Sequence, residues 1–114
     1  MVFRLNLFRS RVKFVPGSNS YIFSKKVYIV NKKSGDIVQG DKTGDVPLSD
    51  KVKAYIKEKY NKPGEVFLGV VHRLDRPTSG VIIFARTSKA LERLNKMLRE
   101  KTISKTYWAI VKNL

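Results

Sequence analysis

Val66-Phe67-Leu68-Gly69-Val70-Val71-His72-Arg73-Leu74-Asp75-Arg76-Pro77-Thr78-Ser79-Gly80-Val81-Ile82-Ile83-Phe84-Ala85 sets two short apolar runs on either side of a nine-residue polar stretch. Runs this short, rich in Val and Ile and bounded by Gly and Pro, read as buried strands rather than helix. The stretch between them, 72–80, therefore reads as a loop, stiffened by Pro77 and released into the second strand by Gly80.

The flanking sequence supplies the rest of the layer. Upstream, Pro47 suits the first turn of a helix. Leu48, Val52, Ile56 and Tyr60 follow at near-helical spacing, Tyr55 widens the stripe, and Asn61-Lys62-Pro63-Gly64 ends it. Earlier still, 21–31 is rich in aromatic and β-branched residues, and Val27-Tyr28-Ile29-Val30 reads as a buried strand. Lys33-Ser34-Gly35-Asp36 turns the chain, Ile37-Val38 is briefly extended, and 39–46, with Gly40 and Gly44, reads as a surface loop. Downstream, Thr87 or Ser88 caps a second helix. Leu91, Leu94 and Leu98 form its buried face, with Ala90 and Met97 alongside; Arg93, Lys96 and Arg99 point outward. Thr106-Tyr107-Trp108-Ala109-Ile110-Val111 reads as a last strand, with Trp108 packing on the face opposite Tyr107. The order strand, helix, strand, loop, strand, helix, strand predicts an α/β fold, an α+β mixed sheet with covering helices.

At 114 residues the chain is one domain or part of one. Its charge is the outlier: 24 Lys and Arg against 9 Asp and Glu give +15. Solubility of a small domain needs an excess of only ~2–8 charges. Such a field concentrates phosphate polymers and makes binding fall with salt. There is no cysteine, which excludes a disulfide scaffold or thiolate metal site and fits a cytoplasmic protein; the single histidine excludes a multi-histidine metal centre. The apolar runs are far too short for a membrane span. The first 33 residues hold eight basic residues and no acidic one. Residues 1–24 are expected to be a basic segment outside the fold, and 25–114 the domain proper.

The loop carries the chemistry. Asp75 stands between Arg73 and Arg76, and a carboxylate becomes a useful nucleophile or base when it is desolvated, aimed and kept ionised. Either guanidinium is a candidate partner for keeping it so. The alternative is an Asp that only bonds turn amides. His72 reads as a structural hydrogen-bonding residue, and Thr78 and Ser79 as groups that satisfy the loop backbone.

His72-Arg73-Leu74-Asp75 followed by Thr78-Ser79-Gly80 resembles the signature of the RluA-type RNA pseudouridine synthases. Val30-Asn31-Lys32-Lys33-Ser34-Gly35 resembles that family's first strand and turn, and Lys105-Thr106-Tyr107 its Lys-x-Tyr segment, in the family's order. The resemblance covers about 27–112. It implies isomerisation of uridine to pseudouridine in RNA without a cofactor or metal: the N-glycosidic bond breaks, the uracil turns, and C5 rejoins the sugar. It assigns Asp75 as the essential catalytic group and Tyr107 as the ring against the target base, a residue that also helps remove the C5 proton. Arg73 is implied in base flipping and RNA contact, and Arg76 and Lys105 are further RNA-binding candidates. The expected partner is RNA, ribosomal first and transfer RNA next. Measured against the family, 25–114 is expected to be the N-terminal half of a catalytic domain, truncated at its C-terminus and of little activity alone. The other class of function in view is a noncatalytic basic RNA-binding module that keeps the scaffold.

Overall fold

The computed structural model describes residues 26–112 together with strands at 2–4, 13–14 and 20–22. Chain order is β1 (Val2–Arg4), β2 (Lys13–Phe14), β3 (Ser20–Ile22), β4 (Val27–Lys32), α1 (Leu48–Lys59), β5 (Gly69–Val70), β6 (Gly80–Ala85), α2 (Ser88–Arg99) and β7 (Ser104–Thr106). Five strands form one sheet in the order β2-β3-β4-β6-β5, and β1 pairs with β7 in a second. All these pairings are antiparallel. The α/β expectation is met in its α+β form.

β6 is the centre. Ile82, Ile83, Phe84 and Ala85 are all buried, so the continuous apolar run has a strand covered on both faces as its cause. Its register with β4 sets Val30 opposite Ile82 and Tyr28 opposite Phe84, and Ile29 opposite Ile83 and Val27 opposite Ala85. Because side chains alternate, the first four face one way and join Leu48, Val52 and Ile56 of α1 and Leu74 of the central loop. The second four face the other way and pack with Ala90 and Leu94 of α2 and with Ile103. One helix thus covers each face.

Both helices start where their sequence says, by different means. Thr87 Oγ1 accepts the Ala90 N–H at 3.0 Å and caps α2. The α1 cap, Pro47, offers no side-chain bond. Instead the Ile37 and Val38 carbonyls accept the N–H groups of Leu48 (2.7 Å) and Ser49 (3.1 Å). The extended pair 37–38 therefore forms no strand; it satisfies amides a helix start leaves open.

Three expectations are corrected. The last strand is Ser104–Thr106, not 106–111. It pairs with β1, whereas Trp108 is 86% and Ile110 104% exposed. An apolar β-branched run becomes a strand only where a partner and a surface receive it, and neither meets 107–111 among the described residues. Trp108 accordingly packs on no face. Tyr60 closes α1 as an exposed cap rather than extending its buried stripe, its ring lying 4.7 Å from the Arg86 guanidinium. Finally, parts of 1–24 join the sheets: 2–4 pair with β7, 13–14 with β3, and 20–22 with β4. The remainder of 1–24 lies outside the described residues.

Candidate active site

The loop 71–79 leaves β5 at one edge of the sheet and enters the central β6. Its side chains divide inward and outward. Leu74 is 7% exposed and anchors the loop among the α1-side core residues. His72 turns its Nε2 to accept the Ile83 N–H at 3.1 Å. Between and beyond these two anchors, Arg73 and Asp75 are exposed. Asp75 O accepts the Thr78 N–H at 2.9 Å, closing a turn with Arg76 and Pro77 at its tip. Gly80 ends the loop at φ +149°, a conformation glycine adopts readily and other residues do not. The aspartate is thus displayed at the surface by a loop pinned on both sides of it.

A third pin comes from β4. Lys32 is only 1% exposed, and its Nζ donates to the carbonyls of Thr78 (2.7 Å), Arg76 (3.0 Å) and Lys33 (3.0 Å). The Gly35 N–H also donates to the Arg76 carbonyl, at 2.8 Å. Burial pulls the Lys32 ammonium below the usual lysine range, the Asp36 carboxylate pulls it back up, the Arg76 charge lowers it again, and Asp75 raises it. Sequence reasoning gave Lys32 no role of its own. The signal was present: Tyr28, Val30 and Lys32 alternate onto one face of β4, so the lysine continues an inward stripe.

Arg76 does not pair with Asp75. Its guanidinium turns to the preceding loop, where Nη1 donates to the Gly35 carbonyl at 3.0 Å. Nη2 donates to Asp45 (3.0 Å), Thr43 Oγ1 (3.2 Å) and Asp41 (3.4 Å). Bonds from the Thr43 side chain and amide, reinforced by Arg76, hold the Asp41 carboxyl below the usual carboxylate range. No ion pair joins Asp75 to Arg73 or Arg76 among the described residues. Adjacent side chains on a turn diverge, and two aspartates across the gap take the one that points their way. Arg76 and Asp45 also line a cavity of about 390 Å³ with Asp36, Val46 and Lys51.

The Lys-x-Tyr segment approaches the same loop. The Lys105 charge, after burial, is the second reason the His72 imidazole is pushed down to about 4. That ring is therefore neutral at physiological pH and suited to accept the Ile83 amide. Tyr107, two residues beyond Lys105, is 60% exposed and follows the end of β7.

The same segments align with known proteins. The family model described as RNA pseudouridylate synthase matches residues 26–114. Ribosomal large subunit pseudouridine synthase C of Haemophilus influenzae is 38% identical over 84 residues, 74% of this chain and 24% of that protein. The Escherichia coli K12 protein of the same name is 37% identical over 86 residues, covering 75% and 25%. The mitochondrial pseudouridylate synthase RPUSD4 of Xenopus tropicalis is 36% identical over 85 residues, covering 75% and 26%. The chain thus spans about a quarter of the length of these relatives. In fold, it superposes on human RNA Pseudouridylate Synthase Domain Containing 4 with a TM-score of 0.57 at 24% identity, over 69% of this chain and 28% of that one. The family match runs through most of the chain, from β4 to its last residue: this protein belongs to the RluA-type RNA pseudouridylate synthase family.

Proposed function

We propose that this chain carries the catalytic-aspartate portion of an RNA pseudouridine synthase. One observation supports the reading above the others: Asp75 is displayed outward on a turn whose neighbours Leu74, His72 and the Arg76 and Thr78 carbonyls are each fixed to the sheet. A group that must attack a sugar or base, or remove a sugar proton, needs that placement before substrate arrives. Uracil cannot turn inside a helix, so the nucleotide leaves the stack. In this reading Arg73, exposed beside Asp75, fills the vacated space, Tyr107 receives the base, and Lys105 holds phosphate. Arg76 reaches RNA only by exchanging Asp41 and Asp45 for a phosphate oxygen.

The substrate in this reading is ribosomal RNA, as the names of the bacterial relatives state for those proteins; transfer RNA is the next choice. The location is cytoplasmic, and a tagged chain found in mitochondria would replace that choice with the address in the Xenopus relative's name.

The test is tritium release from RNA labelled at uridine C5. The 114-residue chain alone is expected to release little. A chimera in which residues 25–114 replace the aligned part of the Haemophilus influenzae relative is expected to turn over. In that chimera Asp75→Ala lowers turnover about a thousandfold or more with RNA binding retained. Unchanged turnover would remove Asp75 from the chemistry. RNA binding without turnover in the unmutated chimera would favour the noncatalytic RNA-binding module.

A further inference from the structure

The buried ammonium of Lys32 is costly and, as packing, unnecessary. Its three partners are neutral carbonyls, and among the described residues no carboxylate pairs with it; the nearest influential one, Asp36, is bonded to Lys51 at 3.8 Å. A charge taken out of water without a countercharge in contact is among the most expensive features a small domain can carry. Neutral donors would satisfy the same carbonyls, and an apolar side chain would fill the same space.

Position explains the expense. Two of the three acceptors, the Arg76 and Thr78 carbonyls, lie within the turn that Asp75 opens, and the third, Lys33, belongs to the strand's own exit. The Arg76 carbonyl is gripped twice, by Lys32 Nζ and by the Gly35 N–H at 2.8 Å. The side chains flanking Asp75 are occupied otherwise: Leu74 is in the core, and the Arg76 guanidinium is held by Asp41, Thr43 and Asp45.

We propose that Lys32 is a positioning residue for this loop: its ammonium pegs the turn that displays Asp75 and supplies a fixed positive charge beneath that carboxylate. In a medium of low dielectric such a charge acts over more than contact distance. The charged groups acting on Lys32 are Asp36 and Asp75, which favour its cationic form, and Arg76, which opposes it. The proposal rests on the reading of Asp75 as the reacting group for its consequence, but the coupling between the two charges exists or fails independently of turnover.

Two measurements on the 114-residue chain decide it. The first follows the titration of the Lys32 side chain by carbon NMR at low salt, in the unaltered protein and in Asp75→Asn. Asp75 is exposed, so this substitution leaves the fold intact. Coupling between sites is reciprocal, so the Lys32 midpoint is expected to move down when the carboxylate is neutralised. An unmoved midpoint overturns the proposal, because a merely structural lysine would not sense the change. The second compares amide exchange in Lys32→Gln, which keeps donors and removes charge. The Thr78 and Gly35 amides are expected to exchange about tenfold faster or more, the loss of charge-assisted bonds, while the β4–β6 ladder keeps its protection. Equal protection at Thr78 and Gly35 overturns the peg. Should Lys32→Gln fail to fold, the Asp75→Asn titration decides alone. Neither result bears on whether Asp75 is the reacting group, which the Asp75→Ala turnover test settles separately.

Discussion

Leu74 and Asp75 are chain neighbours with opposite fates, one in the core and one in solvent, and the contrast is what lets a loop be rigid and still present a functional group. His72 repeats the device on the other side of Arg73, and its chemistry carries a pH signature. Its ordinary value is 6.5 and burial with Lys105 nearby pushes it down to about 4. Between these values the unfolded chain binds a proton that the folded chain refuses. The stability His72 contributes is therefore complete above pH 6.5 and is lost as the pH falls toward 4. Denaturation midpoints measured across that window are expected to fall with acid in the unaltered chain. They should fall less in His72→Gln, which keeps an acceptor for the Ile83 amide but does not titrate; equal slopes would refute the assignment. At this scale the sequence was legible for His72 and for the placement of Asp75 in a stiff turn. It was not legible for the fate of Arg76. Adjacency to Asp75 suggested a pair, whereas the acceptors that claimed Arg76 lie more than thirty residues earlier and no local pattern announces them. Lys32 was hidden for the opposite reason: its position is local and periodic, but a lysine on an inward stripe reads as a solvated charge until the three carbonyls it reaches are known.

The elements followed their apolar spacing closely. α1 and α2 lie where their stripes placed them, and β4 and β6 where β-branched runs placed them, because each of these patterns is set by burial against the same sheet. α2 depends on two details. Its cap makes one hydrogen bond from Thr87, and Thr87→Ala is expected to cost about 1 kcal/mol. Its seat on β5 is close: a Cβ added at Gly69 would lie 3.0 Å from both Leu91 Cδ atoms and 3.2 Å from its Cβ. Gly69→Ala is therefore expected to cost ~1–3 kcal/mol by forcing the helix off the strand. Urea denaturation checks both; a Gly69→Ala protein as stable as the parent would show that Leu91 has room to move. The element that sequence misplaced is β7. Thr106 to Val111 has strong strand composition, but composition measures fitness for a covered, paired surface. The pairing that exists, Val2 opposite Thr106 through Arg4 opposite Ser104, ends where that composition begins.

Over the whole molecule, two covered faces leave the charge on the outside. An excess of +15 on 114 residues makes phosphate contact the main source of affinity in any RNA association. Binding of a single-stranded RNA is expected to weaken linearly on a log–log plot against salt, by about 0.7 in slope for each phosphate contacted. A flat plot would mean that the cationic surface does not meet the backbone. Fluorescence anisotropy at several salt concentrations reads this directly and needs no turnover. The domain class was legible from element order, since strands alternating with amphipathic helices have few ways to bury both. The contribution of the N-terminal strands was not, because a basic, acid-free segment shows no periodic pattern and its pairing with β7 and β4 is made at long range.

The protein contains a single tryptophan, Trp108, and it stands 86% in solvent. Its fluorescence is consequently nearly blind to unfolding of the sheet: the indole should emit toward the red and be readily quenched by acrylamide before and after denaturation. The same placement makes it an intrinsic beacon for whatever comes to lie over residues 107–112. A blue shift with lost quenching would register that contact without any label.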